Sequence, residues 1–559
     1  MLDGRWETLQ TDVLVVGGGF GGLWAAIRAS EFCSSVVLVD KCFAGKSGHS
    51  YFASGAMMVC LPDDDPDEYV QDIVAGNDWL ADQDMVAGVF AGSYARLQDL
   101  ESFGISFRKE NGKYVWTRAR GTRNVKNIWP EHGSAADMVT TLRKVALKRG
   151  VKIINHVFIN DLLKSKDNRV VGAIGIGVHD CVSYLIKAKA TVLATNTGGF
   201  RGHHLASELQ GTGPFMAYEA GARLKNPEFH YINIRPAKHE IEGSGILPAV
   251  GARWINARQE YYMEKYQPVL KDRAPVQSIV LAAAQEAMAG NAPVSIDVKG
   301  MSEENRERFR LLMVSHGWQP LIYEKLKNEE GYDFLRQNIE WKPAYESNKI
   351  GIDADASGNT SLNGLYAAGM ARVLGINPFT GWSIASCIWS GYTAGESVGR
   401  YASKMDYGKI DYDLMQSMNE RFFMPMKKEN GLDPDNLTIK LQKILFPVDV
   451  LIVMRGEKLE QALKNVIDLK EEFADGLKAG DVRGLIKVRE TQTMLLAAEM
   501  ALKAALMREE TRPNIFYRKD YPETDNVSWL KWITVQKGAG EDIEFAFESI
   551  PFNRYKFKP

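Results

Sequence analysis

Three glycines and one aspartate carry the first recognisable chemistry in this 559-residue chain. In "TDVLVVGGGFGGLWAAIRASE", Gly17, Gly19 and Gly22 form G-x-G-x-x-G after an apolar run, Val13 to Val16, and before a helical pattern, Leu23 to Ala29. "SSVVLVD" follows and ends on Asp40. Glycine at the first two places lets the backbone turn tightly and approach a pyrophosphate, and the third lets helix and strand pack closely. The helix N-terminus adds unpaired N–H groups and the positive end of its dipole. An acid about 20 residues further on accepts hydrogen bonds from an adenosine ribose. Together these residues predict a βαβ dinucleotide-binding unit. Directly behind it, "GKSGHSYFASG" sets one histidine, His49, among glycines and hydroxyls.

The elements that must position these groups are readable around them. "GVKIINHVFINDLLKSKDNRVVGAIGIGV" reads as strands joined by a polar turn at Lys166–Arg169. "AKATVLATNTGGF" reads as a buried strand with a glycine turn at Gly198–Gly199, and "LNGLYAAGMA" has the same shape. Strand–glycine segments so far apart predict one nucleotide domain interrupted by an insertion. From about Tyr407, apolar residues recur at i, i+3 and i+4 through "DNLTIKLQKILFPVDVLIV", "EKLEQALKNVIDLKEEFADGLKAG" and "VRETQTMLLAAEMALKAALMREE", which predicts a helical domain. Its Met494–Met507 stripe reads as bundle core. The last fifty residues read as irregular and aromatic.

Composition excludes several classes. A formal net charge of −2 gives no global field for nucleic acid or membrane. Hydrophobic residues at 45% and charged residues at 25% suit a globular protein. Cys33, Cys42, Cys60, Cys181 and Cys387 form no C-x-x-C pair, which argues against a disulfide framework, a zinc site or an internal iron–sulfur cluster. No metal site is expected. A reduced, cytoplasmic protein with no membrane span is the simplest reading.

Taken in order, these segments resemble the flavoprotein subunits of succinate dehydrogenase and fumarate reductase over most of the chain. "VLVVGGGFGG" looks like their FAD pyrophosphate loop, "ATNTGGF" their second FAD-contacting turn, and "NGLYAAGMA" their late flavin motif. "INARQEYYMEKYQP" resembles a capping-domain segment, and "ALMREETRP…YRKDYPETD" their C-terminal helix and tail. The resemblance implies an α/β fold: a Rossmann-like FAD-binding domain in two parts (1–225 and 350–406), an inserted α+β capping domain (226–349) and a C-terminal helical domain with a tail (407–559). It implies FAD held by Gly17, Gly19, Phe20, Gly21, Gly22, Asp40 and Lys41, and by Ser47, Gly48, His49, Ser54 and Gly55. Val157, Ala194, Thr195, Gly198, Gly199, Gly369, Met370, Ser383 and Ile384 complete that expectation. Met370 stands where the family usually has a carboxylate near the ribitol. His49 falls on the place of the family's covalently flavinylated histidine; we expect contact with the flavin edge without a bond.

The departures concern the substrate. The stretches "YINIRP", "KDRAPVQ", "YESNKIGI" and "INPFTGW" put Asn233, Val276, a residue near Glu346, and Pro378 where dicarboxylate enzymes of the family place His and Arg. Asn cannot clamp a carboxylate as a cation does, and neither Val nor Pro transfers a proton. "PEFHYINIRPAK…LPAVGARW" instead resembles the adenylylsulfate reductase alpha subunit, although the helix "SIVLAAAQEAMAG" lacks the arginine expected for its sulfur substrate. Candidates to face a substrate are His230, Asn233, Arg235, His239, Arg253 and Arg273, with Trp254 as a wall of the flavin face. Arginines there bind a carboxylate or phosphate or stabilise developing charge, and a histidine exchanges protons near neutral pH. "WTRARGTRNVKNIWPEHG" gathers Arg118, Arg120, Arg123, Lys126 and His132, a substrate mouth or partner edge, though a solvated loop is the simpler reading. His203 and His204 lack ligand-spaced neighbours for a metal.

The expected activity is that of an FAD-dependent oxidoreductase acting on a small organic or sulfur substrate, not succinate or fumarate. Its electron partner would be a separate iron–sulfur, ferredoxin-like subunit. Two alternatives stay open: an adenylylsulfate reductase alpha subunit, and an FAD electron-transfer subunit without a substrate of its own.

Overall fold

The structure, a computed structural model, describes residues 5–131, 134–202, 209–239, 244–314, 319–377, 379–473, 476–540 and 542–555. His132, His203, His204 and Pro378 lie outside the described residues. The apolar run Val13–Val16 is the inner half of a longer strand, Trp6–Val16, and it is wholly buried there. Such a strand needs cover on both faces, as in a parallel sheet. Its neighbours supply the pairing: Val13 lies opposite Val36 on one side and Ala190 on the other, both parallel. Seven strands result. The order along the sheet is Lys152–Asn155, Val36–Asp40, Trp6–Val16, Ser183–Leu193, Val170–Gly177, Val157–Lys164, and Leu365–Ala367 adds to Ser183–Leu193. The last two of the ordered strands form an antiparallel hairpin whose polar turn uses Asn168 at φ 64°. Helix Phe20–Ala29 packs on helix Trp382–Ala402 through Gly391 and Gly395, where a Cβ would stand 2.4 Å and 2.6 Å from carbonyl oxygens of Gly21 and Ala25.

The insertion is a cap with its own four-stranded antiparallel sheet, in the order His230–Pro236, Glu340–Asn348, Val294–Asp297, Arg253–Ile255. Helix Val276–Met288 packs on it. The chain passes into the cap through Leu224–Lys225 and out through Gly351–Ile352. These two dipeptides pair antiparallel, Leu224 opposite Ile352, and make a narrow neck.

Helices Pro434–Leu445, Gly456–Phe473 and Val482–Met507 form the C-terminal domain. Their buried stripe, Leu459, Ala462, Val466, Leu469 and Phe473 on the second helix, follows the expected spacing. In "DNLTIKLQKILFPVDVLIV", Pro447, which lacks an N–H, separates helix Pro434–Leu445 from a short turn of helix at Val448–Leu451. One expectation changes: the tail is not irregular. Lys531–Lys537 and Ile543–Ser549 form a hairpin, and its first strand pairs with Leu224–Lys225 to extend the neck into a sheet. Among the described residues, no helix is long and apolar enough to cross a membrane, and no group of three or more His, Cys, Asp or Glu is placed to hold a metal ion.

Candidate active site

A cavity of about 260 Å³ runs between the nucleotide domain and the cap. One wall is almost entirely backbone. Gly17 turns at φ 107°, and a Cβ there would stand 2.5 Å from the Ala194 carbonyl oxygen. Asp40 holds the turn, accepting from Gly18 N–H (2.7 Å) and Cys42 N–H (2.7 Å). The N-termini of helices Phe20–Ala29 and Trp382–Ala402 both open onto the cavity, the second through Ser383 and Ile384. Thr195 Oγ1 is buried at this wall without a hydrogen-bond partner among the described residues. A glycine cradle, an acid at the strand end and an orphaned hydroxyl fit a dinucleotide. Of the residues expected to hold one, Gly17, Gly19, Phe20, Gly21, Asp40, Lys41, Ser47, Gly48, His49, Val157, Ala194, Thr195, Gly369, Met370, Ser383 and Ile384 line the cavity.

Gly22, Ser54, Gly55, Gly198 and Gly199 do not line it. Gly22 sits behind the turn, where a Cβ would stand 1.8 Å from the Gly17 carbonyl oxygen, so it packs helix on turn. Gly55 abuts Pro130 and Ala135, and the second glycine turn faces the cap, with Gly198 against Asn348 and Gly199 against Leu209. The lining residues of that turn are Asn196 and Thr197, one step earlier than the glycine doublet suggests. Lys41 reaches across to Gln210 (2.7 Å) and Glu490 (3.1 Å). Arg201 grips the other oxygen of Glu490 at 2.5 Å, so the C-terminal helix is tied to the wall beside Asp40.

The cap wall is built from side chains, and most of the candidate cations are spent elsewhere. Arg235 is buried and ion-paired with Glu346, and Asn233 Nδ2 donates to the same Glu346 oxygen at 2.9 Å and to Tyr231 Oη at 3.2 Å. His230 is buried with Nδ1 3.1 Å from Tyr345 Oη, and burial pushes its pKa down to about 3, so it is neutral at physiological pH and unsuited to proton exchange there. Arg253 lies on the far strand of the cap, paired with Asp272 (3.1 Å) and Glu264 (2.7 Å) and stacked on Tyr261. Trp254 is not a wall of the cavity. It is fully buried in the cap core, edge-on to Trp341 at 5.6 Å. Arg273 is exposed on a short turn, and His239 pairs with Glu330 at 3.1 Å. Sequence reasoning places these four near the flavin because the order of segments does not say which strand of a sheet lies innermost.

On its cap side the structure brings to the cavity Tyr231, Ser347 and Lys349, which the sequence does not single out, together with Glu346. Alternation along His230–Pro236 carried the signal for Tyr231, since its neighbours on either side face the core. Within the charged loop, Arg120 is not a solvated side chain. It is half-buried, bonds the Ala274 carbonyl, and burial lowers its pKa to about 10 beside Tyr231. Arg118 and Arg123 are exposed, and Lys126 pairs with Asp64.

A cradle of this shape, closed by a cap and backed by a helical domain, defines an FAD-binding flavoprotein. The FAD binding domain model matches residues 12–384, and the chain belongs to that family. A model of the fumarate reductase flavoprotein C-terminus matches residues 440–559. The protein is thus an FAD-dependent oxidoreductase of the succinate dehydrogenase and fumarate reductase flavoprotein family. It is 27% identical to a subunit of the fumarate reductase (CoM/CoB) of Methanothermobacter marburgensis, over 95% of this chain and 98% of that one. In fold it matches E. coli quinol fumarate reductase (TM-score 0.87, 20% identity, 98% of each chain). It also matches adenylylsulfate reductase of Archaeoglobus fulgidus (TM-score 0.82, 23% identity, 99% of this chain and 98% of that one).

Proposed function

We propose that this protein oxidises or reduces a small organic or sulfur substrate that is not succinate or fumarate, and exchanges the electrons with a separate iron–sulfur, ferredoxin-like subunit. The observation that carries the reading is that Asn233 and Arg235 both bond Glu346 behind the cap wall, and that neither lines the cavity. Where a dicarboxylate enzyme needs cations directed at its substrate, this chain spends its arginine on its own glutamate. When bound, FAD supplies a carrier for an electron pair. The chain's residues then bind, orient and enclose. The Gly17–Gly22 turn and Asp40 fix the adenosine end, the start of helix Trp382–Ala402 presents N–H groups at the other end, and Tyr231 covers the cap side. We place the domain boundaries of the cap at the neck, next to residues 225 and 350. The five cysteines stay apart in sequence, which leaves electron exit to a partner protein.

His49 lines the cavity at the start of a four-residue helix, after Gly48 at φ 71°. We place it against the flavin edge without a covalent bond. Acid precipitation should leave the flavin in the supernatant; colour retained in the pellet and released by His49→Ala would show a bond.

The reading is tested by mixing the reduced holoprotein with fumarate and the oxidised holoprotein with succinate. Neither should turn over at roughly 1 s⁻¹ or more, the ordinary lower range for an enzyme. Turnover at such a rate would overturn it. Bleaching that needs both AMP and sulfite would favour an adenylylsulfate reductase alpha subunit instead, and a flavin that reacts only with a partner protein would favour an electron-transfer subunit.

A further inference from the structure

One cation on the cap wall is not consumed by the ion pair described above. Lys349 follows directly on strand Glu340–Asn348, fixed by its backbone N–H bond to the Phe229 carbonyl at 2.9 Å. Its side chain is 4% exposed and lines the cavity. Among the described residues, no acceptor stands within hydrogen-bond distance of Nζ. The groups around it are the Tyr231 ring, with Nζ 5.3 Å from the centroid, and Glu346, one of whose oxygens Arg235 and Asn233 already share. The stem is packed away while the ammonium opens onto the cavity, so a ligand there meets a positive charge that no protein carboxylate neutralises.

We propose that Lys349 binds one oxyanion group of the substrate, a carboxylate or sulfur oxyanion, on the cap side of the cavity, and so selects substrates that place an anionic group there. The proposal rests on the reading of this cavity as an FAD and substrate site. Charge supports it: Arg235 and Glu346 cancel, and Lys349 leaves the cap wall with one positive charge. The other ionisable groups facing the cavity are Tyr231 and Glu346 on the cap, and His49, Asp40, Lys41 and the thiols of Cys42 and Cys387 on the opposite wall, with Lys41 held by Glu490. Burial pulls the Lys349 ammonium down to about 8, partly offset by Glu346. The charge is therefore present at neutral pH and lost as pH rises beyond that value.

The test uses the FAD-loaded protein titrated with acetate and with inorganic sulfate, read as a change in flavin absorbance. Wild type should bind at neutral pH and lose affinity by roughly tenfold on going to about pH 9.5, as the ammonium deprotonates. Lys349→Met should weaken binding at neutral pH by roughly tenfold or more and remove the pH dependence, with FAD content unchanged. Lys349→Arg should keep the affinity at alkaline pH, because guanidinium stays charged. Unchanged anion affinity in Lys349→Met overturns the proposal. Loss of FAD or a shifted flavin potential in that variant, with anion affinity intact, assigns the ammonium to the cofactor and overturns it too. If Lys349→Met does not fold, Lys349→Arg decides: the same alkaline loss as wild type refutes the assignment. Fumarate turnover would sink the proposed function while leaving this titration to be judged on its own result.

Discussion

The two walls of the cavity recognise by different means. The nucleotide wall uses backbone N–H groups, glycines and one aspartate, and the space for a ligand is made by leaving Cβ atoms out. The cap wall uses side chains: Arg235 and Glu346 pair with each other, and Lys349 is left over. Backbone recognition tolerates change around it, because the groups that bind are present at every residue. Side-chain recognition changes whenever one residue does. The family's cofactor is thus kept on one wall while the other is free to take a new substrate.

The largest effect should come from Gly22→Ala. The added methyl would lie 1.8 Å from the Gly17 carbonyl, backbone against backbone, with no flexible side chain to yield. Bound flavin, read from the ratio of visible to protein absorbance, should fall by more than about tenfold. A fully yellow variant would show that this wall is not held by backbone packing.

Next comes the cap wall. Arg235→Ala strands Glu346 as a buried charge and should cost about 3–5 kcal/mol in urea denaturation. Replacing both Arg235 and Glu346 by Met should cost much less. If single and double variants lose the same stability, the pair does not organise the wall.

A smaller effect follows from His230. Its pKa is about 3 in the folded protein and ordinary when unfolded, so the unfolded chain takes up the proton first. The stability it contributes is fully present above about pH 6.5 and declines by about 1.4 kcal/mol per unit as pH falls below that, levelling near pH 3. His230→Gln, which keeps a hydrogen bond for Tyr345 but does not titrate, should flatten that slope in melts taken between about pH 6.5 and pH 5.

The smallest is Thr195→Val. The orphaned hydroxyl makes no bond within the described protein, so the melting temperature without flavin should hold. FAD affinity should weaken by about 0.5–1.5 kcal/mol, the worth of one hydrogen bond. An equal loss in both measurements would place the hydroxyl in the fold and not at the ligand.

The same contrast explains what is legible in the sequence. Gly17, Gly19 and Asp40 announce their task by spacing, because a turn against a pyrophosphate has few solutions. Interruption of the domain is legible from strand–glycine segments recurring on both sides of a mixed region. Arg253 and Trp254 mislead because they carry the chemistry of a site on a strand at the sheet's far edge, a matter of strand order that local pattern does not contain. Lys349 escapes notice for the opposite reason. Nothing in "YESNKIGI" marks it, and only the meeting of strands His230–Pro236 and Glu340–Asn348 buries it beside Tyr231. The tail hairpin is hidden because its partner in pairing lies some three hundred positions upstream.

That pairing sets an order of events during synthesis. The neck consists of two dipeptides, and Leu224–Lys225 gains its second neighbour only from Lys531–Lys537. A ribosome delivers the cap and both pieces of the nucleotide domain long before it delivers that strand. The nascent chain therefore carries its cap on two short threads until the tail arrives to clasp them, and a chain stopped before the tail strand would keep a cradle whose lid is hung but not latched.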